Sequence, residues 1–168
     1  MPLKRHPALQ DLSRDHQLFL IEARTMRWLA DDDPRAPELK TFLETFRVFW
    51  EYHGNPHIEE EELVLYPFCF EDQNDLDVIQ LRIDHRWLRD RVEAIQQNPQ
   101  NVTLAALREL AEHITKHVRF EERVIFERIQ ENLSEEQLSE LATRSLSFRQ
   151  DNRPEDAIGP NRSVFDEI

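Results

Sequence analysis

The sequence predicts an all-α fold: an up-down-up-down four-helix bundle with a short extra C-terminal helix and an irregular tail. Three observations predict it. A chain of 168 residues with two glycines has little of the turn chemistry an all-β fold needs. Apolar residues recur at alternating spacings of three and four along four long stretches, which is the seam of a bundle helix. Short runs rich in Pro, Asp and Asn join those stretches, and short connections make antiparallel neighbours. The length suits one domain with a real core. Residues 1–148 are assigned to that domain and 149–168 to the tail.

Residues 1–7 are a short lead bracketed by Pro2 and Pro7. From Ala8 to about Ala30 the seam reads Leu9, Leu12, His16, Phe19, Ala23, Met26, with His16 where an apolar residue is expected. Asp31 to Pro37 breaks the helix, because proline removes a donor and restricts the residue before it. A second helix over about 38–70 carries Leu39, Phe42, Phe46, Phe49 and His53 on its seam. Gly54-Asn55-Pro56 interrupts it, and a bend or a full break is expected there. The third helix, about 76–97, carries Val78, Leu81, His85, Leu88, Val92 and Ile95. The fourth, about 102–131, carries Leu107, Leu110, Ile114, His117, Glu121 and Val124. Ser134-Glu-Glu-Gln137 has the form of a capping box and opens a fifth helix to about Phe148.

The formal net charge of −13 speaks against nucleic acid and anionic membrane surfaces as partners, since both reward clustered Lys and Arg. A lone cysteine, Cys69, gives neither a disulfide framework nor a thiolate metal site. No apolar run approaches a membrane span and no signal-peptide region opens the chain, so a cytoplasmic location is expected. Oligomeric state is not legible.

The chemistry lies in a stretch that occurs twice. His53-Gly-Asn-Pro-His57-Ile-Glu-Glu-Glu61-Glu-Leu-Val-Leu-Tyr66 aligns with His113-Ile-Thr-Lys-His117-Val-Arg-Phe-Glu121-Glu-Arg-Val-Ile-Phe126, sixty residues later. Residues four apart on a helix sit about 6 Å apart along its axis on the same face. Each His-x-x-x-Glu therefore aims an imidazole and a carboxylate one way. In the antiparallel topology His16, His57, His85 and His117 fall within a turn or so of one depth. Four imidazoles and two carboxylates buried in one layer would be costly unless cations compensated them. Nitrogen and carboxylate donors without thiolate suit iron, manganese or zinc. Six ligands exceed what one four-coordinate zinc takes, and fit two metals bridged by Glu61 and Glu121. No Glu-x-x-His occurs, which disfavours the ferritin-like arrangement.

Asp15-His16, Phe49-Trp50-Glu51, Pro56-His57 through Glu61 to Pro67, Asp84-His85 and His117 through Phe126 resemble the hemerythrin-like (HHE cation-binding) domain family over about residues 8–132. The resemblance implies a hemerythrin-like bundle with His16, His57, Glu61, His85, His117 and Glu121 around a non-haem di-iron centre. Two iron ions are the implied cofactor, ahead of zinc or manganese. Oxygen-carrying hemerythrins have a second histidine four residues from the first on the third helix, whereas here Leu81 and Arg89 flank His85. A further ligand would have to be His113 or, with less support, His53. Glu59, Glu60 and Glu62 are read as solvated or as orienting a ligand, Asp15 and Asp84 as helix-surface charges, and His6 as surface. The function implied is binding or sensing of O2 or a related small ligand, with no catalytic residue identified. Two alternatives stand beside it: an enzyme of peroxide or nitric oxide detoxification or iron–sulfur repair, and an iron-responsive regulatory or storage module.

Overall fold

The computed structural model describes residues 4–72 and 74–152, and among these there is no strand. The first helix, Pro7–Ala30, opens on a proline, whose missing N–H would be unpaired in any first turn. His6 caps it: its Nδ1 accepts from the Ala8 N–H at 3.2 Å. His6 was expected at the surface outside the bundle. It is half-buried, with its own N–H bonded to Gln130 and Nε2 3.0 Å from Glu135, because a capping side chain must lie over the helix end. The helix stops where Asp32 takes φ 53°, a left-handed conformation that Asp tolerates better than most residues.

Residues 39–69 are helical throughout, so of the bend and the full break considered at Gly54-Asn55-Pro56 the break is absent. The turn Trp50–Gly54 widens instead to π geometry, with the Asn55 N–H reaching back five residues to the Trp50 carbonyl. A proline ring normally collides with the carbonyl four residues earlier, and a wide turn just before Pro56 relieves that collision. Gly54 belongs to the same solution. A Cβ there would lie 2.6 Å from Cε3 of the Trp50 ring, which is itself buried. Gly54→Ala is expected to lower the thermal unfolding midpoint. Overpacking costs about 1–3 kcal/mol, more than the roughly 1 kcal/mol Ala gains as a helix former. An unchanged or raised midpoint would mean that the indole moves aside freely.

Two more π turns, Glu61–Leu65 and Glu121–Ile125, begin on the two repeated glutamates. In each, an N–H five residues on (Tyr66, Phe126) bonds the glutamate's carbonyl. The wider turn shifts the seam by one residue. Val124, expected on the seam, is only half-buried, while Ile125, Phe126 and Ile129 carry the core.

The third helix is Leu76–Gln97, capped by Asp75 through the Asp77 and Val78 N–H groups. The fourth runs as Leu104–Phe120, the π turn, and Phe126–Asn132. The fifth is Glu135–Asn152, and its capping box is reciprocal: Gln137 N–H to Ser134 Oγ at 3.2 Å, Ser134 N–H to Gln137 Oε1 at 2.9 Å. It passes Phe148 by one turn, so residues 149–152 are helical rather than tail. The remainder of the expected tail, 153–168, lies outside the described residues.

The first helix packs along the fourth, with Arg108 bonded to the Ala30 carbonyl (3.0 Å) and Arg5 paired with Glu122 (2.8 Å). Third and fourth are tied by Arg91–Glu109 (3.2 Å) and Arg128–Asp75 (2.8 Å), second and third by Glu62–Arg89 (2.9 Å). Two apolar clusters result. One holds Phe19, Phe46, Phe49, Leu88 and Ile114; the other holds Leu12, Leu65, Leu81, Phe126 and Leu141. His16 stands in sequence between Leu12 and Phe19, and His85 between Leu81 and Leu88. The histidine layer therefore separates the two clusters.

Candidate metal centre

Each of the four long helices delivers one histidine to that layer, and the second and fourth each add a glutamate one turn on. All six side chains are buried, Glu61, Glu121 and His85 completely. Their ligand atoms form two sets. One atom each from His16, His57, Glu61 and Glu121 lies within 4.8 Å of the others, and so does one each from Glu61, His85, His117 and Glu121. Both glutamates belong to both sets.

The sets mirror each other. His57 Nε2 is 3.1 Å from Glu61 Oε1, and His117 Nε2 is 3.2 Å from Glu121 Oε2. The His16 and His57 rings meet edge-on at 4.8 Å and 70°, and His85 and His117 do the same at 4.8 Å and 70°. Phe126 stacks on His16 (5.2 Å) where Tyr66 stacks on His85 (5.9 Å). The duplication seen in sequence is thus a pseudo-two-fold relation in space.

Three of the nitrogens facing away from the centre are hydrogen-bonded by acids, and the fourth, His117 Nδ1, has Asp84 beside it beyond hydrogen-bond distance. Glu122 sits 2.8 Å from His16 Nδ1, and Glu62 is 3.0 Å from His85 Nδ1. Asp15 is 3.3 Å from His57 Nδ1, and Asp84 is 3.6 Å from His117 Nδ1. A carboxylate on Nδ1 fixes the tautomer that presents Nε2 inward and raises its basicity. Asp15 and Asp84 were expected as surface charges, but Asp15 is buried and the Asp84 side chain is 16% exposed. Glu60, read as solvated or ligand-orienting, is completely buried on Arg149 at 2.8 Å. Glu62 fits the ligand-orienting alternative, whereas Asp15 and Asp84 depart from the surface expectation because a step of about 100° from a ligand leads across to the neighbouring helix. The available signal was repetition: an Asp precedes His16 and His85, and a Glu follows Glu61 and Glu121.

His113 is not in either set. Its ring stacks on Trp87 at 4.0 Å with Nε2 3.5 Å from Asp84. His53 lies outside the sets too and stacks on Phe49 at 6.1 Å.

Burial alone would drive these imidazoles towards neutrality, yet Glu61, Glu121, Glu122 and Asp15 around them hold His16 and His57 above the ordinary histidine value. Against the same burial, Glu121 and Asp84 lift His117 to about 10. Burial pushes the carboxylates up, but the histidines more than offset it, taking Glu61 well below its usual range and Glu121 to about 2. In the metal-free layer His16, His57 and His117 and the two glutamates therefore favour one another's charged forms. The raised histidines contribute stability that is complete below about 6.5 and lost as pH rises through their folded values. The depressed glutamates contribute stability present above 4.5 and lost as pH falls through theirs. The metal-free protein is therefore expected to melt highest between about pH 4.5 and 6.5, as thermal denaturation across pH would show. Glu22, pushed up to about 7 by burial, acts oppositely and draws the maximum to the lower end.

A cation pair fits these residues on a separate observation. His16 Nε2, His57 Nε2, both Glu61 oxygens and Glu121 Oε2 are buried and make no hydrogen bond. Buried polar atoms are rarely left so. Orphans converging on one layer, as nitrogen and carboxylate donors without thiolate, are what borderline divalent metals bind.

A family model described as the hemerythrin HHE cation binding domain matches residues 8–129. No curated protein and no solved structure matches the chain.

Proposed function

The chain belongs to the hemerythrin HHE cation-binding family, and on that premise we propose that it is a non-haem di-iron protein of the cytoplasm that binds or senses O2 or a related small ligand such as peroxide or nitric oxide. The observation that carries the reading is the pair of four-donor sets sharing Glu61 and Glu121. One iron would take His16 and His57, the other His85 and His117, with both glutamates bridging. We also read the four long helices as running up-down-up-down; Arg108 at Ala30 and Arg5 at Glu122 support this, as do Arg91 at Glu109 and Arg128 at Asp75.

When bound, an iron pair supplies reversible one-electron changes at each metal, which is what holding an oxidising diatomic ligand requires. The chain's residues do the rest. Asp15, Glu62 and Glu122 hold the imidazoles of His57, His85 and His16 with Nε2 inward, and Asp84 lies beside His117 Nδ1. Phe19, Phe126 and Tyr66 pack on His57, His16 and His85, keeping bulk water from the layer. Four protein donors at each position leave room for solvent or a small ligand. The absence of a fifth histidine from both sets favours an alternative, turnover of peroxide or nitric oxide, because a less saturated metal is more reactive.

Anaerobic reconstitution with ferrous iron, followed by metal analysis and optical spectra under argon and then air, tests the reading. Two irons per chain and a new absorption band in air that reverses on degassing are expected. One zinc per chain and no response to air would overturn it, and peroxide consumption without reversal would select the enzyme.

A further inference from the structure

The pseudo-two-fold relation is broken inside the layer at Tyr66. Tyr66 and Phe126 occupy equivalent positions after the two π turns, and both are completely buried. Each lies flat on the histidine of the neighbouring half. The tyrosine carries one atom more. Its phenol donates to Glu121 Oε1 at 2.7 Å, and Phe126 offers Glu61 nothing of the kind.

The two shared carboxylates face the histidines differently as a result. Glu61 divides its oxygens: Oε1 lies 3.1 Å from His57 Nε2 and 3.6 Å from His16 Nε2, while Oε2 lies 3.3 Å from His85 Nε2. Glu121 meets both halves through one oxygen, with Oε2 3.0 Å from His16 Nε2 and 3.2 Å from His117 Nε2. Both Glu61 oxygens and Glu121 Oε2 lack a hydrogen bond, whereas Glu121 Oε1 has one.

We propose that Tyr66 is a positioning residue that makes the two bridging carboxylates inequivalent. By holding Oε1 of Glu121 it leaves Oε2 alone to bridge both metal positions, while Glu61 gives one oxygen to each. The inference rests on the paired-metal reading above. Its physical basis is that a charge-assisted O–H···O⁻ bond is among the stronger hydrogen bonds, and in a layer closed to water no other donor replaces it cheaply. A carboxylate oxygen so engaged is a poorer metal donor than its free twin. Bridging through a single oxygen also draws two metals closer than bridging through two.

The test uses the full chain loaded anaerobically with ferrous iron and labelled with 13C-glutamate. Metal content, the metal–metal separation from X-ray absorption, and the isotope-edited carboxylate bands are read together. In the loaded-minus-metal-free difference spectrum, which subtracts the glutamates that metal leaves unchanged, the wild type is expected to show two inequivalent carboxylates, one with the wide splitting of single-oxygen binding and one with the narrow splitting of a two-oxygen bridge. Tyr66→Phe, which removes the donor and keeps the ring, is expected to retain two irons per chain, lose the wide pair and lengthen the metal–metal separation. Unchanged bands and separation in that variant overturn the proposal. Should the variant not load or fold, the wild-type spectrum decides alone, because a single equivalent pair of bands there overturns it too. A wild type that never takes up two metals overturns the paired-metal reading instead, and metal content separates the two failures.

Discussion

A chain carrying Glu61→Ala and Glu121→Ala is expected to take up no metal pair, its iron content falling from two per chain to near none. Each glutamate belongs to both donor sets, so the double substitution leaves each position with two imidazoles and no anion. Neutral nitrogen donors alone in a buried layer cannot offset the desolvation of a divalent ion, whereas two shared carboxylates cancel half the charge of a pair. The loss is not simple unfolding. Both carboxylates are buried and three of their four oxygens lack a hydrogen bond, so removing them relieves their desolvation even as it takes away the anions that favour charged histidines. The metal-free variant should therefore still melt cooperatively, but its stability maximum between about pH 4.5 and 6.5 should flatten, because the histidines lose the anions that hold them protonated. Metal analysis beside melts at several pH values checks both. Paired loading retained by the double variant would mean that other residues bridge.

The four helices and their histidines were legible because seam periodicity survives in single residues, and because a histidine on an apolar seam stands out. The His-x-x-x-Glu repeat was legible for the same reason: it obeys helical spacing. What escaped the sequence does not obey it. The π turns at Trp50–Gly54, Glu61–Leu65 and Glu121–Ile125 add a residue without leaving a mark in composition, and they moved Val124 off the seam. They also explain why Gly54-Pro56 does not end the second helix. The acids supporting the imidazoles act across helices, from Asp15 to His57 and from Glu62 to His85, so no spacing within one segment encodes them. Tyr66 and Phe126 were paired in the sequence alignment, but their difference gains meaning only once Glu121 Oε1 is seen beside the phenol.

Arg149 makes the largest expected difference outside the six clustered residues, and it sits where the sequence had placed the tail. Its side chain is 13% exposed, and its guanidinium bonds Asp15 Oδ2 at 2.9 Å and Glu60 Oε2 at 2.8 Å. It thus ties the fifth helix to the His16–His57 half of the layer, whereas the mirrored Asp84 accepts from Gln80 and lies 3.5 Å from His113. Arg149→Met preserves most of the volume and removes the cation, leaving Asp15 and Glu60 to face burial without it. Breaking a buried pair in this way costs about 3–5 kcal/mol. Asp15 also orients His57 through Nδ1, and loss of such a supporting contact typically weakens metal binding about 10–100-fold. The His16–His57 position should accordingly fill later than the His85–His117 position in a metal titration. Arg144→Met on the same helix is the control. Its pair with Glu140 is half-exposed and worth about 0.3–0.5 kcal/mol. Equal losses from the two arginines would show that the fifth helix is held by Leu138 and Leu141 alone and leaves the metal layer untouched.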